Sequence, residues 1–337
     1  MFRNNSNRTG VYQSKPVGPG FKKKWTFATE GIIQTSPVIY KDMLIAGSND
    51  ENLYAIDKNK GTKLWSFNAS ERVKSTAAVF DDLVYFGSFD GFFYALNVCD
   101  GKLCWKFETG DNIKSSPAIW DGKVCFGSFD GYIYCLDAKT GEEIWSFYAG
   151  GSVDSSPSVF NGLVYIGSWD HHLYALSAED GSEVWRFKTD GGVMSSPALF
   201  GDVAYFGSND CFIYALDAKS GTLLWHIETG GKITSSPAVT DESVFTGSGD
   251  RFLYSLDRNT GQERWRFETG DWISSSPSVA GDMVYFGGHD CKLYALSIES
   301  GKELWSLKTG EIIESSPHIA DGVLYFGSWD ERIYALG

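Results

Sequence analysis

Cysteine, proline and positive charge are all scarce in this chain, and each scarcity removes a class of explanation. The six cysteines among 337 residues (Cys99, Cys104, Cys125, Cys135, Cys211 and Cys291) include no adjacent pair and no C-x2-C spacing. That excludes a sequence-readable zinc site, so no metal is expected, and it excludes a dense disulfide framework. The thiols are expected to be reduced, the first four as small core residues and the last two in loops. A Cys125–Cys135 disulfide is conceivable if the two face each other across a hairpin. Nine prolines against 38 glycines, with 42% hydrophobic and 15% aromatic residues, exclude a disordered or collagenous chain. Lys and Arg total 29 against 43 Asp and Glu, a net charge of −14. A partner held by neutralising many phosphates is therefore not expected, which argues against nucleic acid. No apolar run approaches the ~18 residues of a membrane span, so none is expected. Met1 to Gly10 lacks the apolar core of a signal peptide. The reading is a soluble cytoplasmic chain, periplasmic or secreted if a signal has been removed.

What the chain has in abundance is itself. Trp25, Trp65, Trp105, Trp145, Trp185, Trp225, Trp265 and Trp305 recur every 40 residues without an insertion, as do Gly47 through Gly327, Asp50 through Asp330 and Tyr54 through Tyr334. Residues 18–337 hold eight such units behind a 17-residue arm (1–17), so the chain divides into that arm and one repeat domain. In the third unit, Ser115–Trp120, Lys123–Ser128, Tyr132–Ala138 and Glu143–Phe147 read as four strands separated by Asp121-Gly122, Asp130-Gly131 and Thr140-Gly141 turns. Each strand is apolar on both faces, so every sheet is expected to lie between two others. Period, strand count and burial together predict an all-β fold, an eight-bladed β-propeller of four-stranded antiparallel blades. The chain ends at the third strand of its last unit, and Lys22 to Ala28 supplies the missing outer strand with its Trp, closing the ring. Residues 1–16 alone are expected to be dispensable, and the protein is expected to be a monomer.

The segment Ala55-Ile56-Asp57-Lys58-Asn59-Lys60-Gly61-Thr62-Lys63-Leu64-Trp65, repeated at Ala215–Trp225 and Ala295–Trp305, resembles the tryptophan-docking motif of the pyrroloquinoline-quinone (PQQ)-like repeat family. The lead-in Phe2-Arg3-Asn4-Asn5 followed by Arg8-Thr9-Gly10 is similar to what precedes such repeats. The resemblance implies a structural role for the eight Trp, each pinned between its own blade and the next. It also implies that the quinoprotein active site is missing, because adjacent cysteines and ligand-bearing insertions are absent. No cofactor is expected.

Differences among the eight units show which positions the fold leaves free. Turns between third and fourth strands, and between first and second, are stereotyped. Loops on the other face diversify: Asn49, Phe89, Phe129, Trp169, Asn209, Gly249, His289 and Trp329 precede the recurrent Asp, and Gln34, Lys74, Lys114, Asp154, Met194, Thr234, Ser274 and Glu314 sit on the blade-to-blade connections. The second unit reads Lys74-Ser75-Thr76-Ala77 where six others have Ser-Ser-Pro. From these columns the candidate ligand-binding residues are Arg72, Lys74, Phe89, Asn112, Lys114, Phe129, Trp169, Trp272, His289 and Trp329. A sixfold Ser-Ser-Pro cannot be a nucleophile, since each copy would need its own base. No catalytic residue is assigned, and Asp154, His289 and Glu314 are only weak candidates for acid–base work. Function is expected to be non-catalytic: a binding scaffold for a polypeptide segment or small anionic ligand on the loop-rich face. The alternative is a small-molecule-binding or catalytic propeller, not PQQ-dependent, using titratable groups at the channel mouth.

Overall fold

A computed structural model describes residues 5–337. Phe2, Arg3 and Asn4 of the lead-in lie outside the described residues. The strands assort into eight antiparallel sheets, each ordered first to fourth strand from the central axis outward. In the third blade they are Ala118–Trp120, Lys123–Gly127, Tyr132–Asp137 and Glu143–Tyr148. The first is shorter than the sequence suggests, because Ser115–Pro117 turns along the channel instead of pairing. Second and third strands are buried over most of their length, but fourth strands alternate, with Trp145 and its equivalents inward and their neighbours exposed. Two-faced burial thus stops one strand short of the outer edge. Cys104 sits on such an exposed position and Cys99 in an exposed turn, so neither is a core residue. Cys125 and Cys135 are buried cross-strand partners, with Sγ atoms 2.6 Å apart as free thiols.

Each Trp ties its blade to the next. Trp185 Nε1 donates to the Ala218 carbonyl at 3.0 Å, and a Cβ placed on Gly221 would meet the Trp185 ring at 2.7 Å. Gly221 also has a φ of +71°, so the position needs glycine twice over. The pattern repeats from Trp25 on Lys58 to Trp265 on Ile298. Closure follows the predicted route. Strand β2 (Lys23–Ala28) pairs antiparallel with Arg332–Leu336 as the outer strand of the eighth blade. Lys22 and Gly337 exchange backbone hydrogen bonds at 3.0 Å.

The arm differs from expectation. Rather than lying free of the domain, it runs inside the ring. Strand β1 (Val11–Tyr12) adds a parallel fifth strand to the innermost strand of the seventh blade. Carbonyls of Ser6, Asn7, Thr9 and Gly10 accept backbone N–H bonds from Val159, Leu199, Val239 and Val279, the innermost strands of blades four to seven. Arg8 is wholly buried, and its guanidinium donates to the carbonyls of Ser116, Pro117 and Pro157 in blades three and four. No sequence period could reveal this, because the contacts are made by backbone groups that every blade presents.

Candidate functional site

The blade-to-blade connections descend into the channel and there build a ring from serine and threonine. Ser36 N–H donates to Thr76 Oγ1 at 3.0 Å, and Thr76 N–H to Ser116 Oγ at 3.1 Å. The relay continues through Ser156, Ser196, Ser236, Ser276 and Ser316, whose N–H returns to Ser36 Oγ at 3.0 Å. One residue earlier, Ser75, Ser115 and Ser155 donate their hydroxyls to the carbonyls of Ser115, Ser155 and Ser195. The Ser-Ser-Pro motif is therefore an inter-blade stitch, with its second hydroxyl left at the channel wall. Above the ring, on the loop-rich face, Gln34, Lys74, Lys114, Asp154, Met194, Thr234, Ser274 and Glu314 complete a cavity of about 130 Å³. The arm lies below the ring, on the side of the stereotyped turns.

Around this mouth the candidate residues form two groups. On blades two and three, Phe89 and Phe129 pack with ring centroids 6.0 Å apart, and Lys74 Nζ stands 4.9 Å over the Phe89 ring. Burial, then the nearby charges of Lys114 and Arg72, hold the Lys74 pKa below the ordinary lysine value. Lys114 is paired with the buried Asp154 at 3.1 Å. Arg72 is exposed and Asn112 half-buried on the adjoining connections.

On blades seven, eight and one, Asn49 Nδ2 donates to Gln34 Oε1 (3.0 Å) and Gln34 Nε2 to Glu314 Oε2 (2.6 Å), while Glu314 Oε1 lies 3.4 Å from His289 Nε2. Burial opposes ionisation of Glu314, but hydrogen bonds from His289 and Gln34 outweigh it and lower its pKa. Ser274 Oγ meets the same His289 Nε2 at 2.8 Å. A relay that activates a serine needs the serine and the orienting acid on opposite nitrogens of the histidine ring. Here both address one nitrogen, and Asp154 lies apart with Lys114. Trp272 and Trp329 flank His289 at 6.2 and 6.5 Å. Trp272 is 58% exposed and Trp169, on the fourth blade, 45%. Trp329 is only half-buried, and its Nε1 has no hydrogen-bond partner. Gln34, Asn49 and Ser274 also belong to this group and are not among the binding residues the sequence points to, although all three lie in the diverging columns. Their polarity, paired across blades, was the available signal.

The residue following each loop Asp is left-handed in all eight blades, and in six of them it is not glycine: Glu51, His171, Cys211, Arg251, Cys291 and Glu331. Such a conformation opposes an L side chain by roughly 1 kcal/mol or more. The Asp itself is structural. Asp50 Oδ1 accepts the Asn52 N–H, while Asp50 Oδ2 accepts the Tyr54 hydroxyl and the Glu30 N–H. His318 is buried on an innermost strand, edge-on to Tyr12 at 4.8 Å, and burial pushes its pKa down to about 3.

A quinone cofactor does not fit this mouth. A tricarboxylate over calcium needs several uncompensated cations and a cluster of acids. Among the described residues only Lys74 of the channel cations lacks a carboxylate partner, and no group of three His, Cys, Asp or Glu is placed to hold a metal ion. The one close thiol pair, Cys125 and Cys135, is buried inside a blade.

Comparison with solved structures shows the same architecture. BamB from Moraxella catarrhalis superposes with a TM-score of 0.82 at 18% identity, over 94% of this chain and 99% of that one. The computationally designed Ika8 protein gives 0.84 at 18%, over 93% and 99%. Quinohemoprotein alcohol dehydrogenase from Comamonas testosteroni gives 0.86 at 14%, over 98% of this chain and 79% of that one. At such identities the likeness is one of fold. No curated protein matches. The family model described as outer membrane protein assembly factor BamB matches residues 22–139, 129–232 and 209–337. With eight PQQ-type blades observed and that model spanning nearly the whole chain, the protein belongs to the BamB family of PQQ-like repeat propellers.

Proposed function

We propose that this propeller is a non-catalytic binding scaffold that takes a polypeptide segment on its loop-rich face. The observation that carries the reading is the contrast between faces. Third-to-fourth-strand turns repeat one design, whereas the opposite loops differ from blade to blade and hold Trp169 and Trp272 exposed. Exposed aromatics beside charged side chains are the stuff of recognition hot spots, and rigid scaffolds concentrate such groups in loops. A family relative that carries the name of an assembly factor is consistent with protein recognition. The eight Trp serve to hold the blades in register beneath that face. Catalysis is the weaker reading, since Ser274 and Glu314 share one nitrogen of His289.

The test begins with proteins that copurify with the full chain and are identified by mass spectrometry. Binding of the partner so identified is lost in the Arg72→Glu, Lys74→Glu double variant with the fold intact, and is unchanged by Lys139→Glu on the opposite face. Unchanged affinity in the double variant moves the site off this face.

A further inference from the structure

A more specific assignment rests on the reading that the loop-rich face recognises ligands, and it concerns the cavity lysine that makes no direct ion pair with a described residue. Lys74 Nζ makes no ion pair or hydrogen bond with any described residue, and its described neighbour is the face of Phe89. Lys114 beside it is already matched by Asp154. Lining the same cavity are the hydroxyls of Ser36, Thr76 and Ser116. Each of these oxygens accepts a backbone N–H from the preceding blade, and none donates its own proton to a described residue. A hydroxyl whose lone pair is so engaged turns its donor toward the cavity. One ammonium and several O–H donors converging on a walled space of about 130 Å³ describe a receptor for an anion.

Two features select among anions. Lys74 and Lys114 face Asp154 and Glu314 in the same cavity, so its lining carries no net charge, and a doubly charged group meets twice the repulsion from the two carboxylates that a singly charged group meets. The paired rings of Phe89 and Phe129 stand beside Lys74 and suit an apolar substituent on the anionic group. We propose that Lys74 with the hydroxyls of Ser36, Thr76 and Ser116 forms a receptor for a carboxylate, either a polypeptide's terminal carboxyl or a free organic acid, with Phe89 and Phe129 against its apolar substituent.

Calorimetric titration of the full chain at neutral pH tests this with N-acetyl-phenylalanine, its amide, and inorganic phosphate. The acid binds at least tenfold more tightly than the amide and than phosphate. Lys74→Gln removes the preference, Lys74→Arg keeps most of it, and Lys139→Gln changes nothing. A tripeptide ending in phenylalanine with a free carboxyl separates the two sources: tighter binding than N-acetyl-phenylalanine assigns a polypeptide terminus, and equal binding assigns a free organic acid. The proposal is overturned if acid and amide behave alike, including no binding by either, if the preference survives in Lys74→Gln, or if phosphate binds as tightly as the acid. Such a failure with partner contacts at Trp169 and Trp272 intact removes this assignment and leaves the scaffold reading standing.

Discussion

Trp305 Nε1 donates at 2.8 Å to the carbonyl of Val17, a residue 288 positions earlier in the chain. In the other blades this bond runs 33 residues forward, to the next unit. At the seam Val17 stands in for the missing next unit, and Phe21 takes the place of the glycine, its ring 4.5 Å from that of Trp305. Val17 also receives the Tyr285 hydroxyl on its carbonyl, at 3.2 Å. The arm is thus part of the closure and not an appendage to it.

Deletion of residues 1–17 therefore lowers the melting temperature by several degrees or more. It removes the acceptors of Trp305, of Tyr285 and of four innermost strands, and each buried polar group left unpaired costs roughly 1–3 kcal/mol. Deletion of residues 1–28 removes the eighth blade's outer strand as well and exposes its edge, so aggregation is expected. Thermal melts and light scattering of the two truncations check this. Wild-type stability in the shorter deletion contradicts the observed role of the arm.

Removing a Trp from between two blades is expected to differ sharply from removing one at the rim. Trp185 is 9% exposed and lies over Gly221, so Trp185→Ala leaves a cavity and costs about 3–5 kcal/mol. Trp272→Ala, more than half exposed, costs less than about 1 kcal/mol. Denaturant unfolding of both variants decides it, and equal losses contradict the division between structural and recognition tryptophans.

Acid is expected to weaken the fold through His318. The unfolded chain takes up a proton below about pH 6.5, whereas burial holds the folded group neutral down to about 3. Stability contributed by the neutral form is complete above pH 6.5 and declines as pH falls through that window, by at most about 1.4 kcal/mol per pH unit. Unfolding free energies between pH 6.5 and 4 are steeper in wild type than in His318→Gln. Parallel curves show that His318 is not held neutral.

Much of this architecture is legible in the sequence because a 40-residue period without insertions leaves one solution for strand number, blade number and closure. The Trp spacing and the terminal Tyr334-Ala335-Leu336-Gly337 carry the ring, and the diverging columns carry the mouth. What escapes is made by backbone or by geometry. The arm's route depends on N–H groups of Val159, Leu199, Val239 and Val279, which look alike in every unit. The hydroxyl ring depends on how Ser36 and its equivalents face one another across blades. Trp329 stands in a diverging loop column, yet its ring is half-buried and its Nε1 is enclosed.

The central claim, recognition on the loop-rich face, is tested most directly by site-resolved photo-crosslinking in cells. A benzoylphenylalanine placed at Trp169 or Trp272 is expected to capture one and the same protein partner, while the same group at Lys139 on the opposite face captures none. Crosslinks from Lys139 to that partner, or none from either tryptophan position, contradict the account.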